Sequence, residues 1–235
     1  MVTKMVSAIT DHFVDRRSHP AEEWLLVAVL LSATGGYLDA FTWLMHGVLA
    51  TVQSANVMLF GVQAVAGHWD QAFDHIPPIF ACVVGVFVAH YIRMRAPERS
   101  RRLSLIIEII LLFLVMRLHM RVPAMAGTLG ISFAAAVQNT CFTRVEGWPF
   151  SSVMVTRNLQ VMSEGVLGAL SGSQPKASRQ AQVFATLCIA FGVGAAAGAF
   201  FTTTIGGAAL IVPIILVSLA LVVCEFGGRY QAQAV

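Results

Sequence analysis

The sequence predicts an all-α polytopic membrane protein with two inverted repeats, six transmembrane helices and two short re-entrant or broken helices. Composition is the first observation: 57% of the 235 residues are hydrophobic and only 11% are charged, against about one quarter charged in soluble domains. Second, most apolar segments have the length that a bilayer requires, about 20 residues. Third, one polar motif occurs in both halves of the chain, and repeated polar groups in two apolar halves typically form one central site.

Six apolar segments are long enough to be spans, and in chain order they are 24–45, 76–93, 103–120, 122–142, 181–203 and 206–226. Two further segments, Val57–Ala66 and Leu159–Leu170, have only about 10–12 residues, and each follows a polar, turn-like stretch. Segments of that length are more typical of re-entrant or buried helices than of spans.

Loop charge favours the model with six spans, because Lys and Arg near span ends prefer the cytoplasm. The loop 93–102 carries five arginines. If both short segments enter and leave on one side, this loop becomes cytoplasmic together with Lys176 and Arg179, and the acidic loop 68–75 faces outward. An alternative with eight spanning helices and both ends outside also keeps 93–102 inside, but it exports Lys176 and Arg179.

The chain, 1–235, is then one membrane domain: a cytoplasmic amino-terminal segment 1–23, repeat one 24–121, repeat two 122–226, and a cytoplasmic carboxyl-terminal tail 227–235. Each repeat contributes span, short segment, span and span. An odd number of crossings makes the two repeats antiparallel in the membrane, so their polar motifs meet from opposite faces.

The repeated motif suggests two helix termini facing a shared site. Ser54 and Asn56 precede the first short segment, and Thr156 and Asn158 precede the second at an offset of 102 positions. Such residues cap the free N–H groups of a helix, whose positive end can hold an anion or a polar solute. The alternative is that they only satisfy the backbone of a broken helix and join neighbouring helices.

Asp39 is the most informative single residue, because a carboxylate deep in a span must be protonated, paired or hydrated. Arg157 is its obvious partner, either in a coupling site or in a structural lock. The equivalent of Leu38-Asp39 in the second half is Gln138-Asn139, which supplies neutral donors and acceptors. We expect one titratable side and one neutral side of a shared cavity, with Gln53 as a further member.

Two other intramembrane acids receive structural interpretations. Glu108 lies five residues after Leu103 and is expected to reach the basic interface of Arg101 and Arg102. Glu164 lies six residues after Asn158, nearly on the opposite helical face, so it belongs to another contact.

The arginine-rich loop is expected to contact anionic lipid headgroups, through Arg93, Arg95, Arg99, Arg101 and Arg102. Nucleic-acid binding is not needed to explain it. No serine-nucleophile elbow, zinc-binding His pair, phosphate loop or dinucleotide fingerprint occurs in the sequence. We therefore expect no cofactor, no metal site, no catalytic residue and no enzyme activity.

The motifs resemble a known family. Gly36-Tyr37-Leu38-Asp39-Ala40-Phe41, Gln53-Ser54-Ala55-Asn56-Val57, Val137-Gln138-Asn139 and Val155-Thr156-Arg157-Asn158-Leu159 look like the signature stretches of the YoaK-like family of bacterial integral membrane proteins, a domain of unknown function. The resemblance covers about 24–226. The two family triplets commonly read Thr-Gly-Asn, whereas Ala55 and Arg157 replace the glycine here.

The resemblance implies a multi-pass protein of the bacterial inner (plasma) membrane, and the motifs predict its function. We expect a secondary transporter or channel for a small polar or anionic solute, with its site at the repeat interface. A non-transporting scaffold or regulator is the alternative, and an intramembrane enzyme ranks third. The bilayer is the expected partner, and a homo-oligomer is compatible with the sequence.

Overall fold

The computed structural model describes residues 20, 23–118, 121, 124–172 and 176–232. Within them the chain forms α1 Leu25–His46, α2 Gln53–Val65, α3 Trp69–Asp74, α4 Ile76–Arg95, α5 Ser100–Leu118, α6 Ala124–Cys141, α7 Val155–Leu170, α8 Ala177–Ile205 and α9 Ile211–Ala232. Two 3₁₀ turns, Pro97–Arg99 and Gly206–Leu210, and a two-stranded hairpin, β1 Arg144–Val145 with β2 Trp148–Pro149, connect them.

The predicted all-α class is confirmed, and each of the eight predicted segments contains a helix. Three helical stretches are long and apolar enough to cross a membrane, by length and composition: Leu25–His46, Trp69–Arg95 and Ala177–Gly227. Helices α5 and α6 are not among them. Helix α5 carries four charged residues, Arg101, Arg102, Glu108 and Arg117, and the polar pair Gln138 and Asn139 lowers the hydropathy of α6.

The observed helix boundaries differ most from the predicted ones at the two short helices and at the carboxyl end. Helix α2 begins at Gln53 rather than Val57, and α7 begins at Val155 rather than Leu159. The polar triplets therefore lie in the first helical turns. Helix α9 continues to Ala232, so most of the predicted tail 227–235 is helical. Most of the predicted segment 1–23 lies outside the described residues.

Close backbone packing joins α1 to α8 and α4 to α6. A Cβ atom on Gly194 of α8 would overlap the carbonyl oxygen of Ala33 on α1, and a Cβ on Gly85 of α4 would lie 2.7 Å from the carbonyl oxygen of Phe133 on α6. Glycine lets helix backbones approach closely where apolar side chains gain little from leaving lipid. These two contacts bring the motif-bearing helices α1 and α6 against partners from the other half of the chain.

Polar contacts define one end of the bundle. Glu23, just before α1, accepts a hydrogen bond from the Glu146 N–H in the β-hairpin and pairs with Arg101 at 3.7 Å. Glu146 in turn forms a 2.6 Å ion pair with Arg179 at the start of α8. These contacts place the beginnings of α1, α5 and α8 and the 142–150 hairpin together, and we call this region the basic end.

Candidate functional site

The first loop–helix unit, residues 47–65, is held together by Asn56. Its side-chain amide donates to the Leu49 carbonyl at 2.6 Å, and its carbonyl accepts the Leu49 N–H at 3.1 Å. The amide also donates to the Gln53 carbonyl oxygen at 3.0 Å. Asn56 is fully buried, so these bonds tie the loop to the first turn of α2. The expected capping role is wrong for this residue, because Asn56 serves the preceding loop.

Asp39 fixes the same loop to α1. One carboxyl oxygen accepts the Thr51 N–H at 2.8 Å, and the other accepts the Thr51 hydroxyl at 2.5 Å. Thr42, one turn further along α1, accepts the Ala50 N–H at 3.0 Å. Asp39 is 5% exposed. An acidic group therefore already occupies the region before the amino end of α2.

The second loop–helix unit, residues 142–170, repeats part of this arrangement. The Asn158 amide donates to the Ser151 carbonyl at 2.9 Å, the same seven-residue reach that joins Asn56 to Leu49. Ser151 donates its hydroxyl to Asn139 at 2.8 Å, which matches the spacing of Asp39 and Thr51. The same hydroxyl oxygen accepts the Met154 N–H at 3.1 Å, immediately before α7.

Hydrogen bonding in the second unit, and in the part of α6 that contacts it, is less complete than in the first unit. Asn158 and Gln138 are 2% and 3% exposed, and within the described ranges Asn158 Oδ1 and Gln138 Nε2 have no hydrogen-bond partner. Gln138 uses its other polar atom to accept the Ser152 hydroxyl at 3.0 Å. Buried polar groups are usually paired, so these atoms mark the second unit as the less saturated one.

The amino ends of both short helices line one cavity of about 420 Å³. Residues 50–54 come from the first unit and 153–156 from the second. The remaining lining residues lie on α4, α6 and α8, and they are Cys82, Val86, Ser132, Ala135, Ala136, Asn139, Thr140 and Phe191. Helix amino ends carry free N–H groups and partial positive charge, so they favour an anionic or polar group between them.

The helix amino ends at this cavity lack side-chain caps. The N-cap positions are Val52 and Met154, and neither makes a side-chain capping bond. The predicted caps Ser54 and Thr156 instead lie in the first turns, exposed at the mouth of the cavity. The physical reason is that each helix starts four residues early, so the triplets follow the cap position instead of occupying it.

The predicted site residues divide into two layers. Gln53, Ser54, Asn139 and Thr156 line the cavity, whereas Asp39, Asn56, Gln138 and Asn158 lie behind the lining and hold it in place. Arg157 has an exposed side chain, and none of the ion pairs among the described residues joins it to Asp39. Asp39 has Thr51 as its partner instead.

Sequence reasoning missed Thr51, Ser151 and Ser132. Hydroxyl residues precede both short helices, at Thr51 and at Ser151-Ser152, and that recurrence was the available signal. Ser132 lines the cavity, is 1% exposed, and its hydroxyl has no partner among the residues described. Ser32, 100 positions earlier, is equally buried and equally unpartnered.

The basic end uses several of the predicted lipid-contacting arginines in protein contacts. Arg93 donates to the Thr140 carbonyl at 3.1 Å, and Arg95 lies over the Tyr91 ring at 5.5 Å. Arg101 pairs with Glu23, and Arg102 pairs with Glu225 at 3.0 Å. Arg99 is exposed.

Glu108 and Glu164, the other two predicted intramembrane acids, lie in different environments: one is buried and the other is exposed. Glu108 is 1% exposed, and its Oε2 atom has no partner in the described part of the chain. The expected contact with Arg102 is absent, because Arg102 pairs with Glu225. Glu164 is exposed while Asn158 is buried, as their spacing predicts. Across the described ranges no group of three or more His, Cys, Asp or Glu side chains is placed to hold a metal ion.

Apolar helices of bilayer length, packed through glycine beside a cavity that the amino ends of two short helices line, define an α-helical membrane protein. Residues 27–223 match the family model described as Protein of unknown function (DUF1275), and the chain belongs to this family. The predicted family resemblance is thereby confirmed. Neither the search of curated proteins nor the search of solved structures finds a match.

Proposed function

We propose that the protein is a secondary transporter or channel of the bacterial inner (plasma) membrane, and that it carries a small polar or anionic group through the cavity between α2 and α7. The observation that carries the proposal is the joint lining by residues 50–54 and 153–156. Two helix amino ends converge on one space, as in membrane transporters whose broken helices bind anionic groups.

The proposal includes two inverted repeats with six spans. Helices α1, α5, α8 and α9 are joined at the basic end by the contacts of Glu23, Arg101, Arg102, Glu225 and Arg179. In the two repeats α1 corresponds to α6, and α4 corresponds to α8. The packed pair α1–α8 therefore has the packed pair α6–α4 as its equivalent. Ala33 and Phe133, which meet the two packed glycines, are separated by 100 positions, as are Asp39 and Asn139.

The proposed topology follows from charge. Lys and Arg prefer the cytoplasm, so the basic end is cytoplasmic, as are both termini. Arg99, which is exposed there, and its neighbours in 93–102 contact anionic lipid headgroups. Helices α2 and α7 begin near mid-depth and run to opposite faces. The protein acts without a catalytic residue or cofactor.

Blocking the mouth of the cavity tests this function. Thr156→Trp should lower the uptake of inorganic phosphate, sulfate or glycerol into proteoliposomes by about tenfold, for whichever probe the unmodified protein carries, because the indole fills the opening. Leu167→Trp is the matched control on the same helix, since Leu167 is 66% exposed and does not line the cavity. Equal flux in both variants, or flux at background with the unmodified protein, contradicts the proposal and favours a scaffold.

A further inference from the structure

The first half of α7 exposes a group of polar side chains between 156 and 164, whereas its last turn exposes Leu167 and Leu170. Thr156, Arg157, Gln160, Ser163 and Glu164 all have exposed side chains. Arg157, Gln160 and Glu164 are spaced by three and four residues, so they lie on one helical face. We call these five residues the α7 polar face. The buried residues of the same helix are Asn158, Gly165 and Gly168.

Beyond Ser54, which corresponds to Thr156, the equivalent surface of α2 is apolar. At the offset of 102 positions that relates Asn56 to Asn158, Met58 corresponds to Gln160 and Val62 to Glu164. Met58 and Val62 are 58% and 57% exposed, as expected for side chains that contact lipid. The two short helices therefore occupy matching places in the chain but present opposite chemistry to their surroundings.

Arg157 lies too deep for its charge to be explained by the membrane surface. Helix α7 packs against α8, since Gly165 lies against Ala177 and Ala181 and the Gln180 amide donates to the Val161 carbonyl. Only six residues separate Leu170 from Ala177, so two helices packed side by side run antiparallel. Leu170 ends α7 near the basic end, so Arg157, thirteen residues earlier, lies about 20 Å from it at 1.5 Å per residue. A charge facing hydrocarbon at that depth is costly unless it has a polar partner.

The α7 polar face leads into the cavity. Thr156 belongs to both, and Arg157 follows it directly. Inside the cavity, the buried Ser132 hydroxyl has no partner among the described residues. Asn139 is neutral here, whereas Asp39 occupies the equivalent place in the first unit. The amino end of α7 and Ser132 thus form the part of the cavity most favourable to an anionic oxygen, and Arg157 lies just outside its lining.

We propose that the cavity receives the headgroup of a zwitterionic phospholipid, which slides along the α7 polar face while its acyl chains remain in the bilayer. The inference rests on the proposed transport function and assigns its substrate class. The phosphate is held by Arg157 and the amino end of α7. The carboxylate of Glu164, on the same face, attracts the ammonium group. Apolar lining residues such as Val86 and Phe191 tolerate the first carbons of the acyl chains.

Phospholipid translocation in proteoliposomes tests the inference. The probe is a phosphatidylethanolamine with a fluorescent acyl chain, and dithionite added outside reports how fast the inner-leaflet probe reaches the outer leaflet. Arg157→Leu should slow translocation about tenfold, and Glu164→Leu should slow it less. Both side chains are exposed, so neither change disturbs packing. Met58→Leu on the matching face of α2 is the control and should stay within about twofold of the unmodified protein.

A parallel uptake assay with glycerophosphoethanolamine, the same headgroup without acyl chains, separates the two proposals. Translocation of the lipid that depends on Arg157 supports the inference. Uptake of the soluble headgroup without lipid translocation overturns the inference but leaves the proposed transport function intact. If neither probe nor any soluble anion crosses, both proposals fail. If Arg157→Leu only converts a dimer into a monomer, measured by light scattering in detergent, a second copy covers the face and the inference is wrong.

Discussion

The two loop–helix units share one arrangement of hydrogen bonds, and they differ in how many of their buried polar atoms have partners. In the first unit Asn56 makes four hydrogen bonds, Asp39 on α1 adds two, and α2 beyond Ser54 is apolar on its outer face. In the second unit Asn158 makes one side-chain bond, its Oδ1 atom has no partner in the described chain, and the first half of α7 exposes polar side chains. The first unit is therefore the more completely hydrogen-bonded of the two, and under our proposal the second unit contacts the substrate.

Glycine packing provides the largest test of this contrast. A Cβ on Gly165 of α7 would lie 2.7 Å from the Ala181 backbone nitrogen, whereas Gly61 of α2 faces open space. Gly165→Leu should therefore separate α7 from α8 and lower the free energy of unfolding by about 3 kcal/mol. Gly61→Leu is the matched control and should change it by less than about 0.5 kcal/mol. Thermal unfolding in detergent measures both.

If Gly165→Leu unfolds at the same temperature as the Gly61 control, α7 is not fixed against α8. In that case α7 cannot hold its amino end at a fixed place in the cavity wall, and the difference in packing between Gly165 and Gly61 has no effect on stability.

The two asparagines give the next largest effect. Asn56→Leu removes four hydrogen bonds, one of them to His75, and leaves the Leu49 N–H and carbonyl without their partner, so it should cost about 2 to 4 kcal/mol of unfolding free energy. Asn158→Leu removes one bond, to Ser151, and also removes an unpaired oxygen, so it should cost about 1 kcal/mol. If the two changes lower the free energy of unfolding equally in the same assay, the two units do not differ in how completely they are hydrogen-bonded.

Much of the fold was predictable because bilayer length and apolar composition constrain helices strongly. The repeated asparagines and the Asp39–Asn139 relation also located the loops that line the cavity. The capping roles were not predictable. Whether Asn56 bonds forward into α2 or back to Leu49 depends on where the loop folds, and no local pattern distinguishes the two.

The position of Arg157 was missed for a related reason. The sequence places it next to Asn158, but one residue is a rotation of 100° on a helix, and this turns Arg157 outward while Asn158 is buried. The pairing with Asp39 was inferred from charge alone. Thr51 satisfies Asp39 through a loop that returns to α1 after 12 residues, which only the folded chain reveals.

The smallest effect on stability, with an informative effect on function, is expected from Asn139→Asp. The substituted carboxyl keeps the oxygen that accepts the Ser151 hydroxyl, so the free energy of unfolding should change by less than about 1 kcal/mol. It also places an acidic group before the amino end of α7, as Asp39 already does before α2. A fixed negative charge there opposes a phosphate, and about 1 kcal/mol of repulsion corresponds to about fivefold slower headgroup translocation. Asn139→Gln is the neutral control and should not show this loss if charge is the cause. Translocation that is unchanged in Asn139→Asp would mean that the neutrality of the second unit has no functional role, and the two units would then differ only in stability.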